Sequence, residues 1–150
     1  MLRLTRTDSD NTDFINLVNE LTAYFAVIDG EDHVFYNQFN KVSSLKHVIV
    51  VYENDKAVGC GAIREFSTDI MEVKRMYVLP ECRGKGVASK ILAELESWTK
   101  ELDHNTCVLE THKKQADAVG LYKKAGYKVI PNYGQYVGME TSICFKKVLS

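Results

Sequence analysis

Between Met71 and Leu102 the chain joins a strand to a long helix through a glycine-containing loop, and this unit restricts the folds open to it. Met71 to Leu79 reads as a strand, halted by Pro80, which has no amide to continue a ladder. Beyond the loop, Val87, Ile91, Leu95, Trp98 and Leu102 recur every three to four residues, so one apolar stripe runs along a helix. A helix with a single stripe that follows a strand must bury it on the sheet containing that strand. This predicts a layered domain rather than a helical bundle or an all-β sandwich.

The rest of the chain supplies the sheet and its cover. Leu2 to Arg6 alternates like a strand. Asn11-Thr12-Asp13 offers N-cap residues for a helix whose stripe is Phe14, Leu17, Val18 and Leu21, extended by Phe25 and ended at Asp29-Gly30. A short helix is expected from about His33 to Phe39. His47 to Tyr52 turns at Asn54-Asp55 into a second strand, Ala57 to Phe66, as a hairpin. Thr106 to Glu110 is a strand. Gln115 to Lys124 is a helix that turns Ala118, Leu121 and Tyr122 inward and closes at Gly126, and Tyr127 to Ile130 and Thr141 to Val148 are the last strands. The order β-α-α-β-β-β-α-β-α-β-β implies an α+β or α/β layered fold with a partly antiparallel, partly parallel sheet.

No repeat or linker divides the 150 residues, so one domain over 1–150 is expected. A net charge of -1 with 26% charged residues offers no broad basic surface for nucleic acid, and no long apolar run suits a membrane. The N-terminus lacks the features of a secretory signal, and the expected location is cytoplasmic. Cys60, Cys82, Cys107 and Cys144 lie far apart without metal-ligand spacing, and His33, His47, His104 and His112 form no ligand set, so neither a metal nor a disulfide framework is expected.

The loop itself carries the strongest chemical signal. In Pro80-Glu81-Cys82-Arg83-Gly84-Lys85-Gly86-Val87-Ala88 no Ser, Thr, Asp or Asn stands where a helix normally takes its cap. Free amides and the positive end of the helix dipole would cradle an anion; Gly84 and Gly86 allow close approach, and Arg83 and Lys85 add charge. A pyrophosphate fits that description, although a Gly-rich connection with solvated cations would look the same. The P-loop pattern is absent, and Gly59-Cys60-Gly61 lacks the setting of a dinucleotide fingerprint.

Arg83, Gly86 and Ala88, preceded by Met71 to Val78 and followed by Gln115 to Tyr127 with its Leu-Tyr and Gly-aromatic pairs, resemble the signature of the GCN5-related N-acetyltransferase (GNAT) family. The resemblance covers about Ala57 to Val129. It implies a mixed, mostly antiparallel sheet of six to seven strands with helices on both faces. It also implies acetyl-CoA as co-substrate, with its pantetheine arm lying between splayed fourth and fifth strands. On that reading Met76 and Val78, with Tyr77 between them, offer main-chain bonds to pantetheine and the thioester carbonyl. Arg83 to Ala88 hold the pyrophosphate, and Gln115 stands where many members have an asparagine facing the arm.

The same resemblance makes Tyr122 the candidate general acid for the departing sulfur, a position equally suited to a core tyrosine. Glu72 resembles the strand glutamate that acts as base in some members. Glu110, at the end of the next strand, is a second candidate. Lys74 and Arg75 should point to opposite faces of their strand, one of them toward the cleft, where it could meet an acidic group on the acceptor or pair with Glu72. The segment Pro131 to Glu140 is longer than a hairpin needs; Tyr133 and Tyr136 suit a mobile wall for a small amine acceptor, opposite Asp29 to Tyr36, or alternatively a contact between two copies of the chain.

Overall fold

A computed structural model of the chain describes residues 1–29 and 44–150. The side chain of Phe25, the helix expected at His33 to Phe39, and the acceptor wall expected beyond Asp29 lie outside the described residues. The elements are β1 (Leu2–Thr7), α1 (Thr12–Asp29), β2 (His47–Glu53), β3 (Lys56–Ser67), β4 (Ile70–Val78), α2 (Val87–Glu101), β5 (Thr106–His112), α3 (Ala116–Lys124), β6 (Lys128–Ile130) and β7 (Ser142–Val148). They form one seven-stranded sheet in the order β1-β2-β3-β4-β5-β7-β6. Every pairing is antiparallel except β4 with β5. The mixed, mostly antiparallel sheet expected from the sequence is the one observed.

Local chemistry explains the joints. Asn11 Oδ1 accepts the Phe14 amide at 3.0 Å, capping α1. Asn54 and Asp55 take φ 50 and 68, the left-handed pair that lets two residues join β2 to β3. Gly126, at φ 97, ends α3: its amide donates to Lys123 O, and the Tyr127 amide donates to Tyr122 O at 3.0 Å. That closure fixes the last turn of α3, which carries Tyr122.

Val48, Ile49, Val50 and Val51 on β2 are all fully buried, as are Cys60, Ala62 and Ile63 on β3, so both faces of the central strands are covered. Helix α1 packs on β2, β3 and β4, and α2 packs on β2 through β5. Of the predicted stripe of α2, Val87, Ile91 and Leu95 are buried and Trp98 and Leu102 partly buried, and Leu92 is buried beside them. Among the described residues no helix is long and apolar enough to cross a membrane.

Two irregularities in the sheet decide where the site forms. The ladder between β4 and β5 spans only Ile70–Glu72 against Thr106–Val108, although both strands continue beyond it. The β3–β4 register also shifts: Cys60 pairs with Tyr77 but Ala62 with Lys74, so Arg75 and Met76 together face Gly61. Arg75 takes φ 62 in this bulge, a conformation that costs a non-glycine residue about 1–2 kcal/mol. Gly61 permits it, since a Cβ there would lie 2.6 Å from Met76 Sδ and 2.7 Å from Ile91 Cγ2.

Candidate active site

Where β4 and β5 part, a cleft of about 60 Å³ opens, and Glu72, Glu110 and Tyr122 all line it, together with Met76, Gln115 and Tyr136. The three residues expected to move protons thus stand around one space. Two of the expected cleft contacts are already engaged: Gln115 Oε1 accepts from the Thr111 hydroxyl, and Val78 O accepts from Arg83 Nε at 2.9 Å.

Glu72 is 1% exposed and held from three sides. Its Oε1 lies 3.0 Å from Arg64 Nε and 3.8 Å from Lys74 Nζ, and its Oε2 accepts from the Tyr133 hydroxyl at 2.7 Å. Glu110 accepts from Ser142 Oγ at 2.7 Å. Burial, helped by the charge of Glu110, raises the Tyr122 phenol above its ordinary range, so it stays protonated at neutral pH. Burial and then the Glu72 charge do the same for Tyr133.

The sequence placed Lys74 and Arg75 on opposite faces of a regular strand, yet both line the cleft. The bulge is the reason, because a left-handed residue breaks the alternation that the expectation assumed. Burial lowers Lys74 from its usual range, partly offset by Glu72. Arg64 was missed at the sequence level; it reaches Glu72 because a register shift between Glu65 and Ser67, just before the turn at Thr68 and Asp69, sets them directly opposite across β3 and β4.

The loop between β6 and β7 is tied down rather than loosely draped. Asn132 Nδ2 donates to Tyr136 O at 3.1 Å and Met139 O at 2.9 Å, and the Tyr133 ring meets Phe66 and Tyr136 edge to face. Tyr136 is 1% exposed and lines the cleft, whereas Tyr133 acts on Glu72.

At the far end of β4 lies the loop into α2. Gly86 occupies the N-cap position of α2 with no side-chain cap, and the first turn carries no acidic residue. Gly84 and Gly86 both take φ 80, and nothing lies within 4 Å of where a Cβ would sit on either. Residues 83–86 are exposed. The Arg83 guanidinium lies over the rings of Tyr24 and Tyr77 at 5.4 and 5.7 Å, which steadies it beside the loop. Among the described residues no three His, Cys, Asp or Glu side chains are grouped to hold a metal, and the four cysteines are buried and unbridged.

Comparison with known proteins bears on the family and the fold. The chain is 30% identical over 130 residues to an uncharacterised N-acetyltransferase of Schizosaccharomyces pombe, covering 83% of this chain and 80% of that protein. Its fold matches a Klebsiella pneumoniae protein assigned as an acyl-CoA N-acyltransferase, with TM-score 0.84 and 28% identity over 100% of this chain and 99% of that one. It also matches yncA of Salmonella typhimurium, assigned as an acetyltransferase and solved with its cofactor acetyl-CoA; the TM-score is 0.72 and the identity 17%, over 99% of this chain and 94% of that one. Residues 14–127 match the Acetyltransferase (GNAT) family, and the chain belongs to that family.

Proposed function

We propose that the protein transfers the acetyl group of acetyl-CoA to the primary amine of a small acceptor by direct attack. The observation that carries this reading is that β4 parts from β5 after Glu72 and then leads, through Gly84 and Gly86, into the uncapped start of α2. An unpaired strand edge offers main-chain partners to an extended pantetheine arm, and the helix start offers amides to a pyrophosphate. The open space over both glycines fits that group, and the related yncA structure, which holds acetyl-CoA, supports the assignment.

Bound acetyl-CoA supplies an activated thioester. Met76 to Val78 would line the arm, and Arg83 to Ala88 the phosphates. As the acceptor nitrogen bonds to the acetyl carbon and the carbon–sulfur bond breaks, a proton must leave the nitrogen and one must reach the sulfur. Tyr122, kept protonated by burial, is the donor to sulfur. Glu72 and Glu110 are both candidate bases: Glu72 is held by Arg64, Lys74 and Tyr133, and Glu110 accepts from Ser142 Oγ and has its charge beside Tyr122.

Thiol release from acetyl-CoA across a panel of amines, with calorimetry of acetyl-CoA binding alongside, tests the reading. Turnover on any amine supports it. Binding without turnover would make the chain an acyl-CoA sensor, and no binding would reject the assigned cofactor site.

A further inference from the structure

The geometry points to Arg75 as the receptor for a carboxylate on the acceptor, so that the acceptor is an amine that also carries a carboxylate; this rests on the acetyl-transfer reading above. Arg75 is 7% exposed, lines the cleft, and has a buried Nε with no hydrogen-bond partner among the described residues. No described carboxylate forms an ion pair with it. The neighbouring cations differ: Lys74, also on the cleft, and Arg64 both lie against Glu72. A buried guanidinium nitrogen without a partner is costly, and the backbone that presents it is in a left-handed conformation. Burial is the main influence on its protonation, pushing it down to about 10, and neither cleft carboxylate is among the groups that offset this. It therefore remains a cation at neutral pH.

A guanidinium presents planar, paired donors that match a carboxylate. A doubly charged phosphate would call for further free cations, and here Lys74 and Arg64 are committed to Glu72. Glu110 lines the same cleft, so the cleft presents both signs of charge to a zwitterion. Its volume of about 60 Å³ suits a compact one.

The test uses the whole chain with acetyl-CoA and a panel of amino acids, each paired with its primary amide and its aminophosphonate, plus tyramine and spermidine. The expected result is a kcat/KM for at least one carboxylate about 10- to 100-fold above its amide, the range for a charge-assisted bond. In Arg75→Ala that ratio should fall to about one through acceptor KM, and Arg75→Lys should restore part of it. Amides or aminophosphonates used as well as carboxylates by wild type would overturn the inference while leaving acetyl transfer standing. A carboxylate preference that survives in Arg75→Ala would also overturn it. Turnover of none of these amines, despite acetyl-CoA binding, would overturn both readings. The wild-type comparison decides the matter even if Arg75→Ala does not fold.

Discussion

The hydroxyl of Tyr133 donates to Glu72 Oε2 at 2.7 Å, tying the loop before β7 to the strand whose departure from β5 opens the cleft. Tyr133→Phe removes one bond from a buried carboxylate, which should lower stability by about 1–3 kcal/mol in urea unfolding. Changing both Tyr133 and Tyr136 to Ala should raise the acceptor KM while acetyl-CoA affinity stays near wild type. If cofactor affinity falls instead in a folded protein, this loop does not face the acceptor.

Gly86→Asp should abolish acetyl-CoA binding by calorimetry. Its carboxylate would stand beside the very amides that the pyrophosphate needs, in a space that is open now, and at φ 80. Arg83→Ala should weaken binding more mildly, by about 1–3 kcal/mol, because the backbone donors remain. Unchanged affinity in Gly86→Asp would place the cofactor elsewhere.

Tyr122→Phe should lower kcat by about 10² to 10⁴-fold with little change in acetyl-CoA affinity if sulfur protonation limits the rate. Since burial holds the phenol above its ordinary range, any alkaline limb in the wild-type profile near the ordinary tyrosine range of about 10 would belong to another group and should survive in the mutant. Wild-type kinetics at every pH would make Tyr122 a packing residue against Tyr127 and Phe145.

Arg75→Met should stabilise the ligand-free protein, by roughly 1–3 kcal/mol, because it removes a buried charge that no described carboxylate balances. Thermal unfolding checks this directly. A lower Tm would mean that Arg75 is satisfied by the fold itself.

The folded protein should also lose stability at alkaline pH. Burial pushes Cys60 up to about 12 and Cys144 up to about 11, and raises Tyr122, Tyr133 and Tyr136 as well. These groups keep their protons when folded and release them near pH 9 to 10 when unfolded, so their contribution is complete below about pH 9 and declines as pH rises through the folded values. The lowered Lys74 and Arg75 act in the opposite direction but are fewer. Urea midpoints measured from pH 7 to 11 should fall, and a flat profile would contradict this balance.

Much of this architecture is written locally in the chain. The turn at Asn54 and Asp55, the stop at Gly126 and the uncapped start of α2 each follow from a few adjacent residues, and all three stand as expected. The arrangement around Glu72 does not. Its bond to Tyr133 spans 61 positions, and its pairing with Arg64 depends on an irregularity between Glu65 and Ser67 that moves β3 by one residue against β4. The bulge that brings Arg75 into the cleft depends on Gly61 lacking a Cβ where Met76 and Ile91 press in, a packing fact that strand periodicity cannot express.

The short ladder between β4 and β5 leaves the sheet as two panels, β1 to β4 and β5 to β6, hinged on three residue pairs. Helix α2 packs on strands of both panels, on β2, β3 and β4 and more lightly on β5, and so helps to hold them in line. An acyl-CoA laid along the open edge would act as a keystone, closing the seam and gripping the start of that same helix. Hydrogen exchange should then slow on both panels at once when acetyl-CoA is added, far from any atom it touches.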